Sequence, residues 1–227
     1  TPFSYVATTS SIVWEGCSPV FVDIDPKTLN IDPARIQEAI TPDTSAILAT
    51  HCFGNACDIE GIDAVAKVHG LKVIYDAAHC FGSTYNGRSV FEYGDVSTTS
   101  FHATKIFHTV EGGAVFANDQ EVLERMYYMR NFGHKGIEEF DGVGINGKNS
   151  EFHAAMGLTN LSHISEILKK RKEQSYYYDN HLIINTFCKV EAYPNSTGNY
   201  SYYPIVFRSE ELLLDALARL NAAEIFP

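Results

Sequence analysis

The spacing of apolar positions in the first 130 residues predicts strands that alternate with helices. Helical spacing, with apolar residues three or four apart, covers residues 5–15, 32–40, 58–70 and 121–130. Short apolar runs predict strands at residues 19–24, 45–50, 71–75, 96–101 and 114–117. Strands and helices in this order indicate βαβ units and an α/β fold with a largely parallel sheet.

Capping residues support the predicted helix ends. Asp32 precedes Pro33, which suits an N-cap followed by proline at the first helical position, and Asp58 suits the same capping role. Gly16 and Gly70 stand where two of these helices should end. We therefore expect short connections between helices and strands in this part of the chain.

The pattern changes after residue 150. One long helix is expected at residues 150–181, followed by strands at 189–193 and 202–207 and an amphipathic helix at 209–222. We predict a large domain over 1–149, a connecting helix over 150–183 and part of a smaller α+β domain over 184–227. The chain starts without methionine and ends at an apolar tripeptide. We therefore expect a piece of a longer protein, with the large domain lacking its N-terminal part.

Composition and charge narrow the class of protein. The 227 residues are 45% hydrophobic and 20% charged, which is typical of a globular protein. The net charge of -11 argues against a nucleic-acid or anionic membrane partner but permits a phosphorylated small molecule. With no apolar stretch of membrane-spanning length and no visible secretory leader, a cytoplasmic location is the expectation.

The five cysteines lack any Cys-x-x-Cys spacing. Buried, reduced thiols are the expected state. A metal protein built on His51-Cys52, Cys57 and His79-Cys80 is an alternative, but their spacing matches no standard zinc pattern. We expect no metal site.

Two loops that follow predicted strands carry the candidate chemistry. Asp76 to His79 follows one strand and Ser100 to Lys105 follows another, and ligands of parallel sheets bind at the carboxyl ends of strands. Pyridoxal phosphate needs a lysine, a carboxylate for its pyridine nitrogen, an aromatic face and phosphate donors. Lys105, Asp76, Tyr5 and Ser100 can supply these groups. Taken singly, each also has an ordinary reading: a solvated lysine, a helix cap or turn residue, a core aromatic and a local hydrogen-bonding serine.

Six sequence segments, in a fixed order along the chain, together resemble one protein family. The sequence resembles the DegT/DnrJ/EryC1/StrS family of pyridoxal phosphate-dependent sugar-nucleotide aminotransferases over nearly its whole length. This resemblance implies an aspartate aminotransferase-like fold (fold type I), with a mostly parallel sheet and helices on both faces. The segments that carry it are residues 1–8, 21–25, 76–79, 100–105, 111–113 and 144–157.

The resemblance implies roles for the matching residues. Lys105 would form the imine with the cofactor and then act as the acid and base. Asp76 would pair with the pyridine nitrogen, and His79 would lie beside the ring. Tyr5 would stack on the ring, and Ser100 would bind the phosphate.

The resemblance also implies that two subunits share each active site. Asn146 would contact the phosphate of the cofactor in the neighbouring subunit of a homodimer. Lys148 departs from the family, since many members carry arginine there. The missing N-terminal and C-terminal parts lead us to expect weak cofactor binding by this piece alone.

The sequence around Lys105 and at residues 147–153 resembles that of the family branch that aminates dTDP-4-keto-6-deoxyglucose. Glutamate would be the amino donor, and the 4-amino-4,6-dideoxyglucose product would serve surface polysaccharide (O-antigen) synthesis. Amination at the 3-position is a competing reading, and a non-catalytic binding or regulatory fragment is another. Family members that act as dehydratases replace the lysine with histidine, so Lys105 argues against that activity.

Overall fold

The computed structural model describes residues 1–182 and 187–227. Its helices are α1 (Val6–Trp14), α2 (Pro33–Ala39), α3 (Ile59–His69), α4 (Gln120–Met129), α5 (Glu151–His181) and α6 (Glu210–Ala222). Its strands are β1 (Ala46–Thr50), β2 (Lys72–Asp76), β3 (Thr84–Tyr85), β4 (Arg88–Ser89), β5 (Val96–Ser100), β6 (Gly113–Ala117), β7 (Phe187–Lys189), β8 (Ser196–Thr197) and β9 (Ile205–Phe207). Among the residues described, no helix has the length and apolarity needed to cross a membrane.

The main sheet has the strand order β1-β2-β5-β6. The first three strands run parallel, with Thr50 opposite Asp76 and Asp76 opposite Thr98. β6 runs antiparallel to β5 and pairs Gly113 with Ser100. The predicted mostly parallel sheet is therefore confirmed, and the ends of β1, β2 and β5 lie at one edge.

α3 shows how the local sequence builds the core against this sheet. The Asp58 side chain accepts a hydrogen bond from the Gly61 N–H at 2.8 Å, which begins the helix, and Gly70 ends it with φ of 65°. Ile62 is completely buried, as Ala49 is on β1. Burying an isoleucine in this way stabilises the fold by about 1.5–3 kcal/mol.

The predicted strand at residues 19–24 is wrong. This segment makes one isolated bridge, between Ile24 and Ile31. Val20 is 63% exposed and Phe21 is 50% exposed. A strand requires a neighbouring backbone along its length, and within the described residues this run has one only at its end, where the Asp32 N–H donates to the Asp23 carbonyl at 3.1 Å.

The strand predicted at 189–193 is wrong beyond Lys189, which ends β7, and the strand predicted at 202–207 is reduced to β9. The segments after α5 also reach back to the first half of the chain. β7 and β9 pair antiparallel, and β8 joins β3 and β4 in a small sheet that the sequence did not predict. The N–H of Tyr193 donates to the side-chain oxygen of Asn55 at 3.0 Å. The long helix is confirmed as α5, whereas the proposed domain boundaries stay a prediction. The boundary after residue 183 lies outside the described residues.

Candidate active site

Asp76 is the last residue of β2, at the edge where the parallel strands end. Its carboxylate accepts one hydrogen bond from the Ala78 N–H at 3.1 Å and another from the Thr8 hydroxyl at 2.5 Å. Thr8 belongs to α1, whose start is held to β1 by a hydrogen bond between the Ser4 and Thr50 hydroxyls at 3.1 Å. The carboxylate is therefore fixed by groups from two elements. Sequence reasoning did not single out Thr8, although it lies within the first motif of the resemblance.

Lys105 lies in the turn between β5 and β6. Its N–H donates to the His102 carbonyl at 2.9 Å, and the Phe101 N–H donates to the Gly112 carbonyl at 2.8 Å. The strands approach so closely at Gly113 that a Cβ there would lie 2.6 Å from the Thr99 carbonyl oxygen. The return at Gly112 and Gly113 therefore brings the lysine loop back onto the sheet edge.

Burial and charge set the protonation of the two basic groups at this edge. Burial lowers the pKa of Lys105 below its usual value, and the nearby Asp76 carboxylate opposes that shift. Burial also lowers the pKa of His79 to about 4, assisted by the positive charge of Lys105 and opposed by Asp76. His79 is therefore neutral at neutral pH, and Lys105 loses its proton more readily than an exposed lysine does.

A cavity of about 140 Å³ brings His79, Ser100 and Lys105 together. Its wall also includes Tyr202, whose hydroxyl lies 3.5 Å from the His79 Nε2, with the two rings 4.8 Å apart between centroids. Three of the residues named in advance thus line one cavity. The remaining lining residues are Ala78, Phe81, Thr104, Ile106, Arg171 and Ser201.

Asn199 connects the C-terminal part of the chain to this cavity. It is only 1% exposed, and its amide group donates to the His79 carbonyl at 2.6 Å and to the Phe81 carbonyl at 2.9 Å. Its side-chain oxygen accepts from the Ser201 N–H at 3.1 Å. Sequence reasoning missed Asn199, Tyr202 and Arg171, because no local pattern shows that they return to the sheet edge.

Three predicted site residues, Asp76, Tyr5 and Asn146, do not line this cavity, although the charge of Asp76 still acts on Lys105. Tyr5 is the N-cap of α1 and is 78% exposed. Asn146 is exposed, and its side-chain oxygen accepts from the Lys148 ammonium group at 2.7 Å. The role expected for Asn146 at a neighbouring subunit therefore stays a prediction.

The cysteines divide into two groups. Cys52, Cys57 and Cys80 are buried and free, and burial raises the pKa of Cys52 to about 12. Cys17 and Cys188 are exposed, so the expectation of buried thiols is wrong for these two. Cys17 follows the end of α1, and Cys188 is the middle residue of the short strand β7. Within residues 1–182 and 187–227, no group of three or more His, Cys, Asp or Glu side chains is arranged to hold a metal ion.

Known proteins resemble this chain over most of its length. A family model described as the DegT/DnrJ/EryC1/StrS aminotransferase family matches residues 1–225. A dTDP-4-amino-4,6-dideoxy-D-glucose transaminase from Shigella dysenteriae is 47% identical over 211 residues, which are 92% of this chain and 58% of the relative. The chain thus spans little more than half the length of that relative.

Solved structures show the same fold. The sugar aminotransferase CalS13 from Micromonospora echinospora matches with a TM-score of 0.90 at 27% identity, covering 97% of this chain and 64% of that one. DesI, solved in the presence of its TDP-sugar product, matches with a TM-score of 0.87 at 33% identity, covering 95% and 57% of the two chains. The aminotransferase fold expected from the sequence is confirmed.

Proposed function

The chain belongs to the DegT/DnrJ/EryC1/StrS aminotransferase family, and on that premise we propose that its protein is a pyridoxal phosphate-dependent transaminase of a nucleotide-linked keto-sugar. The proposed substrate is dTDP-4-keto-6-deoxyglucose, with glutamate as amino donor, in the synthesis of a surface polysaccharide. The observation that carries the proposal is the placement of Lys105 and His79 in one cavity, beside the Asp76 carboxylate. The name of the Shigella dysenteriae relative supports the choice of sugar.

The residues at the sheet edge fit pyridoxal phosphate. Lys105 offers an amine for the aldehyde, Asp76 offers a carboxylate for the pyridine nitrogen, and Ser100 offers a hydroxyl on the cavity wall. The Ser201 hydroxyl also lines the cavity and is buried without a hydrogen-bond partner among the described residues, so it has capacity for a ligand. When bound, the cofactor supplies an electron sink for the carbanion at the reacting carbon.

Lys105 carries the proton transfers in this proposal. Its lowered pKa leaves a larger fraction of free amine at neutral pH than an exposed lysine has. The free amine would hold the cofactor through its aldehyde and, once released, would accept and return a proton at the reacting carbon of the substrate. Asp76 stays close enough to stabilise the ammonium form between those steps.

Asp76 and His79 hold the ring in this proposal. The Thr8 and Ala78 hydrogen bonds hold the carboxylate of Asp76 at the sheet edge, where it would keep a pyridine nitrogen protonated. His79 is neutral at neutral pH and packs beside the ring without adding a second positive charge near Lys105. Tyr5 stacks on the ring.

The site is completed by a second subunit of a homodimer. Asn146 contacts the cofactor phosphate in the partner's site, and this role is supported by its exposed position away from the cavity of its own chain. The apolar side chains exposed around it, such as Val143 at 90% and Ile145 at 70%, support burial of this segment against protein.

Product analysis tests the proposal. The full-length protein is incubated with dTDP-4-keto-6-deoxyglucose, glutamate and pyridoxal phosphate, and the sugar product is identified by NMR. We expect a 4-amino-4,6-dideoxyglucose nucleotide and an equal amount of 2-oxoglutarate. A 3-amino product would assign the other ring position. Unchanged keto-sugar with no 2-oxoglutarate would favour a non-catalytic binding or regulatory protein and contradict the proposal.

A further inference from the structure

The side chains that line the Lys105 cavity are basic, whereas the chain as a whole is acidic. The chain has a net charge of -11. Within the described part of the chain, the cavity lining includes the basic side chains of Lys105 and Arg171 and no carboxylate. A cavity of one charge sign within a protein of the other favours ligands of the protein's own sign.

Arg171 is the cation in this cavity that the aminotransferase chemistry does not use. It lies on α5, where the preceding residue, Lys170, forms an ion pair with Glu166 at 2.9 Å. Within residues 1–182 and 187–227, no carboxylate lies within 4.0 Å of the Arg171 guanidinium. The guanidinium is always charged at physiological pH and presents several N–H donors in one plane. It therefore retains its full capacity to bind an anion in the cavity.

Hydroxyl groups share the wall with Arg171. The Ser201 Oγ is buried and has no hydrogen-bond partner in the described chain, although the Ser201 backbone is held by Asn199 at 3.1 Å. A buried hydroxyl without a partner loses the free energy of its hydrogen bonds to water. Thr104 and Tyr202 add two further hydroxyl groups to the same wall. An anion in the cavity would therefore find the guanidinium and these hydroxyl groups on one wall.

We propose that Arg171, with the Ser201 hydroxyl, binds an anionic group of the substrate that enters the Lys105 cavity. The group is a carboxylate of the amino donor or a phosphate of the sugar nucleotide, and either accepts two parallel N–H bonds from a guanidinium. The inference rests on the proposed function, in which both substrates are anions. It adds a residue from α5 to a site otherwise built from loops at the sheet edge.

Ligand titration identifies the group. The full-length protein is titrated calorimetrically with 2-oxoglutarate and, separately, with dTDP. Arg171→Gln is expected to weaken at least one of these affinities by about tenfold or more, as for a charge-assisted hydrogen-bonded pair. The weakened probe identifies the source of the anion. Arg125→Gln on exposed α4 removes the same charge away from the cavity and should leave both affinities unchanged.

A second variant keeps the test informative if Arg171→Gln fails to fold. Arg171→Lys retains the charge but loses the planar pair of donors, so it should weaken the same probe to an intermediate extent. Unchanged affinity for both probes in the folded variant would overturn the inference. So would a loss confined to binding of pyridoxal phosphate.

Borohydride labelling of Lys105 in the presence of pyridoxal phosphate separates this inference from the proposed function. Labelled Lys105 with Arg171-independent binding of both probes would refute the anion site and leave the transaminase proposal intact. Unlabelled Lys105 with Arg171-dependent binding of dTDP would refute the transaminase proposal and leave the anion site.

Discussion

The two halves of the candidate site differ in how firmly this chain holds them. Asp76 is fixed by hydrogen bonds from Thr8 and Ala78, and His79 is fixed through its carbonyl by Asn199. Tyr5 and Asn146, by contrast, are exposed and do not line the cavity. The first set, Asp76, His79 and Lys105, rests on strand ends and buried contacts, and we call it the closed half. The second set, Tyr5 and Asn146, lies on exposed surfaces, and we call it the open half.

Large apolar side chains are exposed on and near the segments that carry Tyr5 and Asn146. Trp14 on α1 is 88% exposed, Val143 is 90% exposed and Phe152 at the start of α5 is 87% exposed. Exposed apolar patches of this kind mark faces that contact other protein. This exposure supports the proposal that Tyr5 and Asn146 act beside a second subunit.

Removal of the Lys105 amine should have the largest effect on the closed half. Lys105→Ala removes both the group that binds the aldehyde and the proton carrier, so transamination should fall by at least about 10³-fold. Lys105→Arg should not restore it, because a guanidinium stays protonated. Rates are measured as 2-oxoglutarate formed from glutamate. Activity of Lys105→Ala within tenfold of the unsubstituted protein would refute the role of Lys105.

Subunit mixing tests whether the open half belongs to the neighbouring subunit. Lys105→Ala and Asn146→Ala homodimers should both be impaired, because one lacks the amine and the other lacks the contact to the cofactor phosphate. In a mixed dimer one of the two sites receives intact residues from both chains. Random mixing should therefore restore activity to about one quarter of that of the unsubstituted protein. Absence of any recovery in verified mixed dimers would place Asn146 outside a shared site.

Asn199 tests how the closed half is held. Asn199→Ala leaves the His79 and Phe81 carbonyls unpartnered in a buried region, at a cost of about 1–3 kcal/mol in the free energy of unfolding. The loosened loop should also admit water to His79, so its pKa should rise from about 4 toward its ordinary value. Urea unfolding and NMR titration of labelled histidine measure the two effects.

Two further variants make the Asn199 test specific. Asn199→Asp keeps the size but loses the two donated hydrogen bonds, so it should behave like Asn199→Ala. Asn180→Ala removes an exposed amide on α5 that donates to the Tyr176 carbonyl, and it should leave the His79 pKa unchanged. An unaltered His79 pKa in all three variants would show that Asn199 does not position His79.

The smallest effect on the site itself is expected from His51, which is buried and acts on stability alone. His51 is completely buried, stacks on Tyr75 and accepts a hydrogen bond from the Cys57 N–H, and burial lowers its pKa to about 3. The unfolded chain binds a proton at this residue below about pH 6.5, whereas the folded chain does not. Stability should therefore fall as pH drops from about 6.5 toward 3, by about 1.4 kcal/mol per pH unit from this group.

Matched variants isolate that contribution. The pH dependence of the urea midpoint should be shallower for His51→Gln than for the unsubstituted protein. His69→Gln changes an exposed histidine at the end of α3 and should leave the slope unchanged. Identical slopes for all three proteins between pH 7 and 5 would contradict a buried neutral His51.

The sequence predicted the closed half because its chemistry follows directly from strand ends. Asp76 ends β2, and Lys105 lies just beyond β5, so the rule for ligand sites in parallel sheets locates both. Thr8, Asn199 and Arg171 reach the same place by tertiary packing from distant elements, which no periodicity encodes. The error at residues 19–24 has the same origin, because an apolar run does not reveal whether a neighbouring strand exists.

Borohydride reduction of the full-length protein with pyridoxal phosphate, followed by peptide mapping, tests directly whether Lys105 binds the cofactor. We predict one stable pyridoxyl label, on Lys105, in the peptide that contains Ser100 and Thr104. The Lys105→Ala variant should lose this label without gaining one elsewhere. An unlabelled Lys105 in the unsubstituted protein, or a label on another lysine alone, would contradict the proposed role of Lys105.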